Sequence, residues 1–180
     1  VDEQWGELDF LVHSLAYADT QDLSKPFSET LRDGFNKAME ISAYSLLPLA
    51  KGVIPMMRKR GGGSIVSMSF IGSTLAVPNY NVMGPAKAAL ESCTRYLARE
   101  LGPENIRINS LSPGAIRTLS SAGIKDISEM IRVAGEHSAM KRTATQAEVA
   151  NTAAFLLSDA ASGITGQLIY VDCGYSIMAN

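Results

Sequence analysis

The sequence has only two cysteines in 180 residues, Cys93 and Cys173, with neither CxxC spacing nor clustered histidines. That excludes a disulfide framework and the common zinc-ligand patterns, and it fits a reducing, cytoplasmic setting. There is no excess of charge of either sign: sixteen Lys and Arg stand against eighteen Asp and Glu, a formal charge of −2. So balanced a chain carries no electrostatic footprint for a phosphate backbone, so nucleic acid is not an expected partner. No apolar run approaches the roughly 18 residues that a bilayer span requires, so no membrane partner is expected either. The opening VDEQWGELDF lacks both the basic region and the apolar stretch of a secretory signal.

What is present is a globular composition, 46% hydrophobic and 19% charged, in a length suited to one domain over residues 1–180. Leu8 to Leu15 (LDFLVHSL) reads as a strand buried on both faces of a parallel sheet. Ser28 to Arg60 has apolar residues at helical spacing, with Pro48 and Pro55 as bends or breaks and Gly61 to Gly63 as its end. Ser64 to Phe70 and Ile106 to Leu111 read as further strands, with a helix from Tyr80 to Leu101 between them. An irregular polar stretch follows Pro113, then a short helix over Ile127 to Gly135. A capping box at Thr145 and Glu148 opens another helix, and Gln167 to Val171 forms the last strand. Alternating strands and helices predict an α/β fold, part of a doubly wound parallel sheet with helices on both faces.

In such a sheet ligands bind beyond the carboxyl ends of the strands, which directs attention to Ser14, Ser67 to Phe70 and Pro113 to Thr118. Tyr80 and Lys87 are seven positions apart. On one helix this returns to within about 20° of the same direction, about 10 Å further along the axis. An ammonium beside a phenol lowers the tyrosine pKa from about 10 by roughly 1–3. Tyr44 and Lys51 share the spacing, but Tyr44 is mid-helix with Pro48 between the two, and the pair reads as structural. Ser67, thirteen positions before Tyr80, reads equally as a polar wall of the site or as a strand-end serine bonded to backbone. His13 reads as a hydrogen-bonded core residue, His137 as a solvated loop residue, and Cys93 as a small apolar packing residue. Tyr17 and Phe70 are balanced between pocket and core. MMRKRGGG reads as an ordinary helix end rather than a phosphate site.

The set Ser67, Tyr80 and Lys87 resembles the short-chain dehydrogenase/reductase pattern. The strings PNYNVMGPAKAALES, LGPENIRINSLSPGAIRTLSSAGIKD and GQLIYVDCGYSIMA closely resemble bacterial enoyl-acyl-carrier-protein reductases, and the resemblance runs from about Trp5 to the end. It implies reduction of the trans-2 double bond of an enoyl thioester, carried on acyl carrier protein, by NADH, with NADPH as the alternative. Tyr80 and Lys87 would be catalytic. The cofactor would be bound by Ser14, Leu15, Lys87, Ile116, Arg117, Thr118, Leu119 and Ser120. The substrate would meet Ala18, Phe70, Tyr80, Ile127 and Met130, and the assembly would be a homotetramer. The alternatives are a 3-ketoacyl reductase of the same superfamily and a non-catalytic scaffold.

Three departures from the family pattern stand out. Phe70 occupies the position of a usual second tyrosine, leaving an apolar wall without a hydroxyl. Cys173 replaces the first residue of a usual double glycine. The glycine-rich phosphate turn of a dinucleotide fold has no counterpart here, since Gly61 to Gly63 follow a helix and precede a strand. The expectation is a chain joined midway, with about 70–90 residues preceding it.

Overall fold

The computed structural model describes residues 2–118, 121 and 124–179. Strands β1 (Phe10–His13), β2 (Gly63–Met68), β3 (Ile106–Pro113) and β4 (Leu168–Val171) form one parallel sheet in chain order. Parallel neighbours need crossovers. Helices α2 (Thr20–Ser24), α3 (Arg32–Met39) and α4 (Leu46–Arg60) lie between β1 and β2, and α5 (Met83–Leu101) between β2 and β3. The last crossover holds α6 (Ile127–His137) and α7 (Gln146–Leu157), while a single turn, α1 (Asp2–Trp5), precedes β1.

Two cores follow from the alternation of side chains along β2 and β3. Ile65, Ile106 and Ile108 face Leu46, Met57, Leu90 and Leu101 of α4 and α5. Val66 and Leu111 face Val149 and Leu156 of α7 on the opposite side. The α/β architecture with helices on both faces is as expected. So is the capping box, in which Thr145 Oγ1 accepts from the Glu148 N–H and the Glu148 carboxylate accepts from the Thr145 N–H.

Several local expectations are corrected. The first strand is shorter than expected, and within these 180 residues β1 forms the sheet edge, with Phe10 and Val12 54% and 43% exposed. The segment Ser28–Arg60 does not break at its prolines. Pro48 falls in the first turn of α4, where its missing N–H is not needed, and Pro55 is accommodated within the helix. The interruption comes earlier, as a π turn over Glu40–Tyr44 in which the Ser45 N–H reaches the Glu40 carbonyl. Serines with no apolar role had masked it. The helix expected from Tyr80 starts at Met83, and His137 is the last residue of α6, not a loop residue.

The basic segment ends α4 as anticipated, with Gly61 left-handed at φ 84° and Arg58 paired to Glu104. Cys93 packs against the first core. Cys173, at φ 57°, and Gly174, at φ 79°, form the tight turn where two glycines were usual. Asp172 closes that turn by accepting from the Gly174 and Ser176 N–H groups.

Candidate active site

A cavity of about 440 Å3 opens at the carboxyl ends of β1, β2 and β3. The first wall is the segment after β1, where Ser14, Leu15 and Ala18 line the space. Ser42, in the π turn, fixes this segment by accepting from the Tyr17 N–H at 2.9 Å and donating to the Tyr17 carbonyl at 3.1 Å. Tyr17 itself lines the cavity rather than the core, its hydroxyl donating to Asp19.

Tyr80 and Lys87 both line this cavity and are 7% and 5% exposed. They are not on one helix. Tyr80 sits in a turn ahead of α5, between Asn79 at φ 59° and Asn81 at φ 33°, residues that tolerate left-handed backbone better than most. The turn is closed by the Met83 N–H donating to the Tyr80 carbonyl. Gly72 makes room for the phenol ring, since a Cβ there would lie 2.5 Å from Tyr80 Cδ1. Phe70 packs on the same ring, centroids 4.8 Å apart and planes tilted 59°.

The electrostatics correct the expected direction for Tyr80. Burial pushes its phenol well above the usual value near 10, because the phenolate would lose its hydration. Lys87 does not offset this: its Nζ donates to the Met68 carbonyl at 2.7 Å. Burial pushes Lys87 down to about 8, opposed by the Glu91 carboxylate. Burial therefore favours the neutral phenol, which can donate a hydrogen bond.

Ser67 belongs to neither of its two readings. It is fully buried, with Oγ 3.1 Å from Thr94 Oγ1 and 2.8 Å from Ser110 Oγ, a hydroxyl cluster beneath the site. Of the two serines at this end of β2, the one that lines the cavity is Ser69, which donates to Glu91. Ser69 falls within the strand-end stretch Ser67 to Phe70 that the sequence pointed to, whereas Glu91 was not singled out; its one signal was its place one turn beyond Lys87.

The far wall contains Ile116, Thr118, Ile127 and Met130. Arg117 differs from expectation: it is exposed, does not line the cavity and donates to Ser128 Oγ at 2.7 Å. Alternation of direction along an extended segment turns it outward from between two inward neighbours. Leu119 and Ser120 lie outside the described residues. Tyr44, 58% exposed, does not line the cavity, and neither does Lys51.

Comparison with known proteins bears on this arrangement directly. A family profile described as enoyl-(acyl carrier protein) reductase matches residues 1–176. The chain belongs to the enoyl-acyl-carrier-protein reductase family. It is 53% identical over 178 residues to the enoyl-acyl-carrier-protein reductase (NADH) FabI of Synechocystis sp., covering 99% of this chain and 68% of that protein. Identity is 51% to the Neisseria meningitidis serogroup B protein of the same name, again across 98% of this chain and 68% of the relative. A Bacillus cereus enoyl-acyl carrier protein reductase, solved with NADP+ and indole naphthyridinone, superimposes with a TM-score of 0.95 at 43% identity. That match covers 99% of this chain and 69% of the other. The Aquifex aeolicus reductase gives the same TM-score at 42% identity, with the same coverage.

The cavity's chemistry suits the nicotinamide end of such a reductase's cofactor. Leu15 and Ile116 offer apolar surface for a ring, and Lys87 is the one cation among the described lining residues. Gly61 to Gly63 cannot serve the pyrophosphate, because they lie at the amino end of β2, away from the cavity.

Proposed function

We propose that the protein reduces the trans-2 double bond of enoyl-acyl-carrier-protein with NADH, as a cytoplasmic enzyme of fatty acid synthesis. The observation that carries this reading is the buried Tyr80 phenol sharing a mainly apolar cavity with Lys87, its one cation among the described lining residues. When bound, the reduced nicotinamide supplies hydride to C3 of the enoyl group. Negative charge then develops on the thioester oxygen, the Tyr80 hydroxyl donates a hydrogen bond to it, and a proton taken from solvent at C2 completes the saturated product. A donor fixed in advance at such a position is worth about 3–4 kcal/mol of transition-state stabilisation.

Lys87, Ser14, Leu15, Ile116 and Thr118 would hold the nicotinamide end, Lys87 through hydrogen bonds to ribose hydroxyls. Ala18, Phe70, Ile127 and Met130 surround the acyl group. Phe70 contributes an apolar wall and no proton. NADPH is the alternative reductant, and acyl carrier protein delivers the substrate.

We read the assembly as a homotetramer built through α4 and α5, which carry the exposed apolar residues Leu47, Leu49 and Tyr96. Light scattering on the purified protein tests this, and a stable monomer would overturn it. The activity itself is tested by following NADH loss with crotonyl and longer enoyl thioesters. Loss that depends on the enoyl thioester is expected. Absence of such loss, or preference for a 3-ketoacyl thioester, would overturn the assignment.

A further inference from the structure

Lys87 and Glu91 are one turn apart on α5, and both are buried, 5% and 7% exposed. Each grips the same end of β2. Lys87 Nζ donates to the Met68 carbonyl at 2.7 Å, and the Ser69 hydroxyl donates to the Glu91 carboxylate. Ser69 is also fixed from β3, its N–H donating to the Leu111 carbonyl at 2.7 Å. Glu91 does not line the cavity. A carboxylate removed from water in this way requires compensation, and the hydroxyl of Ser69 and the charge of Lys87 supply it.

The ionisable groups around Lys87 have distinct roles. Glu91, on the same helix, attracts the ammonium; His13, from β1, is held neutral partly by it; Tyr80, from the turn before α5, is uncharged. Glu91 is thus the only one of the three that favours the charged lysine.

We propose that Glu91 is a positioning residue for Lys87: anchored by Ser69, its carboxylate holds the ammonium charged and seated on the Met68 carbonyl, in the cavity that Tyr80 also lines. Only the kinetic consequence rests on the enoyl-reductase reading.

The experiment is an NMR titration of Lys87 in the intact purified protein with lysine 13C-labelled at Cε, the signal assigned with Lys87→Arg. Lys87 is pushed down to about 8. Glu91→Gln should lower its midpoint by about one further pH unit. The alkaline limb of kcat/KM should move with it, giving about a fivefold loss at pH 8 and little at pH 6. An unchanged midpoint overturns the proposal. If Glu91→Gln fails to fold, Glu91 Cδ is followed in the unaltered protein. An inflection at the Lys87 midpoint supports the coupling, and a flat response there overturns it. Should the midpoint move while the unaltered protein fails to turn over enoyl thioesters, the function falls and the role of Glu91 stands.

Discussion

The two sides of the cavity are built on opposite principles. The floor, where β2 meets α5, is made of buried polar groups that partner one another: Lys87 with Met68, Ser69 with Glu91, Ser67 with Thr94 and Ser110. The roof, which includes Ile116, Thr118 and α6, carries the charges of its described residues at the surface. Arg132 of α6 pairs with Glu129 and Glu136, all more than half exposed, where solvent and salt screen them. Asp126 begins that helix at φ 59° without a side-chain cap, and Ala134 is the residue of α6 that is buried. A floor so constrained keeps charge-bearing groups in fixed positions. Among the described residues the roof has few buried contacts, and local opening costs least where buried contacts are few.

If that contrast is right, the largest kinetic losses come from the floor. Tyr80→Phe should lower kcat/KM by about 10²–10³ while leaving thermal stability intact, because the ring contact with Phe70 survives. Steady-state rates and a melting curve check both halves, and a loss below tenfold would remove charge stabilisation from the floor's duties. Gly72→Ala follows, with a loss on the order of tenfold to a hundredfold. Its Cβ would lie 2.5 Å from the Tyr80 ring and displace the phenol.

Deeper in the floor, effect and function should separate. Thr94→Val removes one member of the hydroxyl cluster but leaves Ser67 and Ser110 bonded to each other at 2.8 Å. The expected cost is about 1–2 kcal/mol in urea unfolding, with kcat unchanged. In the roof, Met130→Ala should raise KM for long enoyl thioesters about fivefold and leave crotonyl turnover and melting temperature alone. Equal effects on short and long substrates would mean that the roof does not sort chain length.

The same contrast explains what sequence could reveal. Alternating apolar strands and helical stretches announced the α/β sheet, and the pairing of Thr145 with Glu148 marked the start of α7. Tyr80 and Lys87 reach one cavity, although by a turn and a helix rather than by a shared helix face. Depth was not legible. Ser67 and Ser69 differ by two positions on one strand line, yet the first ends under α5 against Thr94 and the second reaches the cavity. Nor was the π turn, where Ser42 within it and Ser45 just after it satisfy partners distant in sequence, Tyr17 and His13. The expected acidification of Tyr80 failed for the same reason. Proximity to a cation is visible in spacing, whereas burial of the phenol is not.

The smallest effect is a pH dependence of stability beneath the floor. Ser45 Oγ donates to the Ile41 carbonyl at 2.6 Å, so its proton is committed and His13 donates to it from Nε2 at 2.8 Å. His13 Nδ1 is buried without a partner among the described residues. Burial, reinforced by Lys87, holds the imidazole below its ordinary value of 6.5. The unfolded chain therefore takes up this proton first as pH falls, and the folded state loses ground. His13's contribution is complete above pH 6.5 and declines below it. The surface carboxylates act in a lower window, since ion pairing holds groups such as Glu148 near 2 and their unfolded values lie near 4.5. Urea unfolding measured between pH 7 and pH 5.5 should show stability falling with pH, and His13→Gln should flatten that slope even if it lowers stability at pH 7. An identical slope in the variant would assign the effect to another group and leave the floor without a pH-sensitive element.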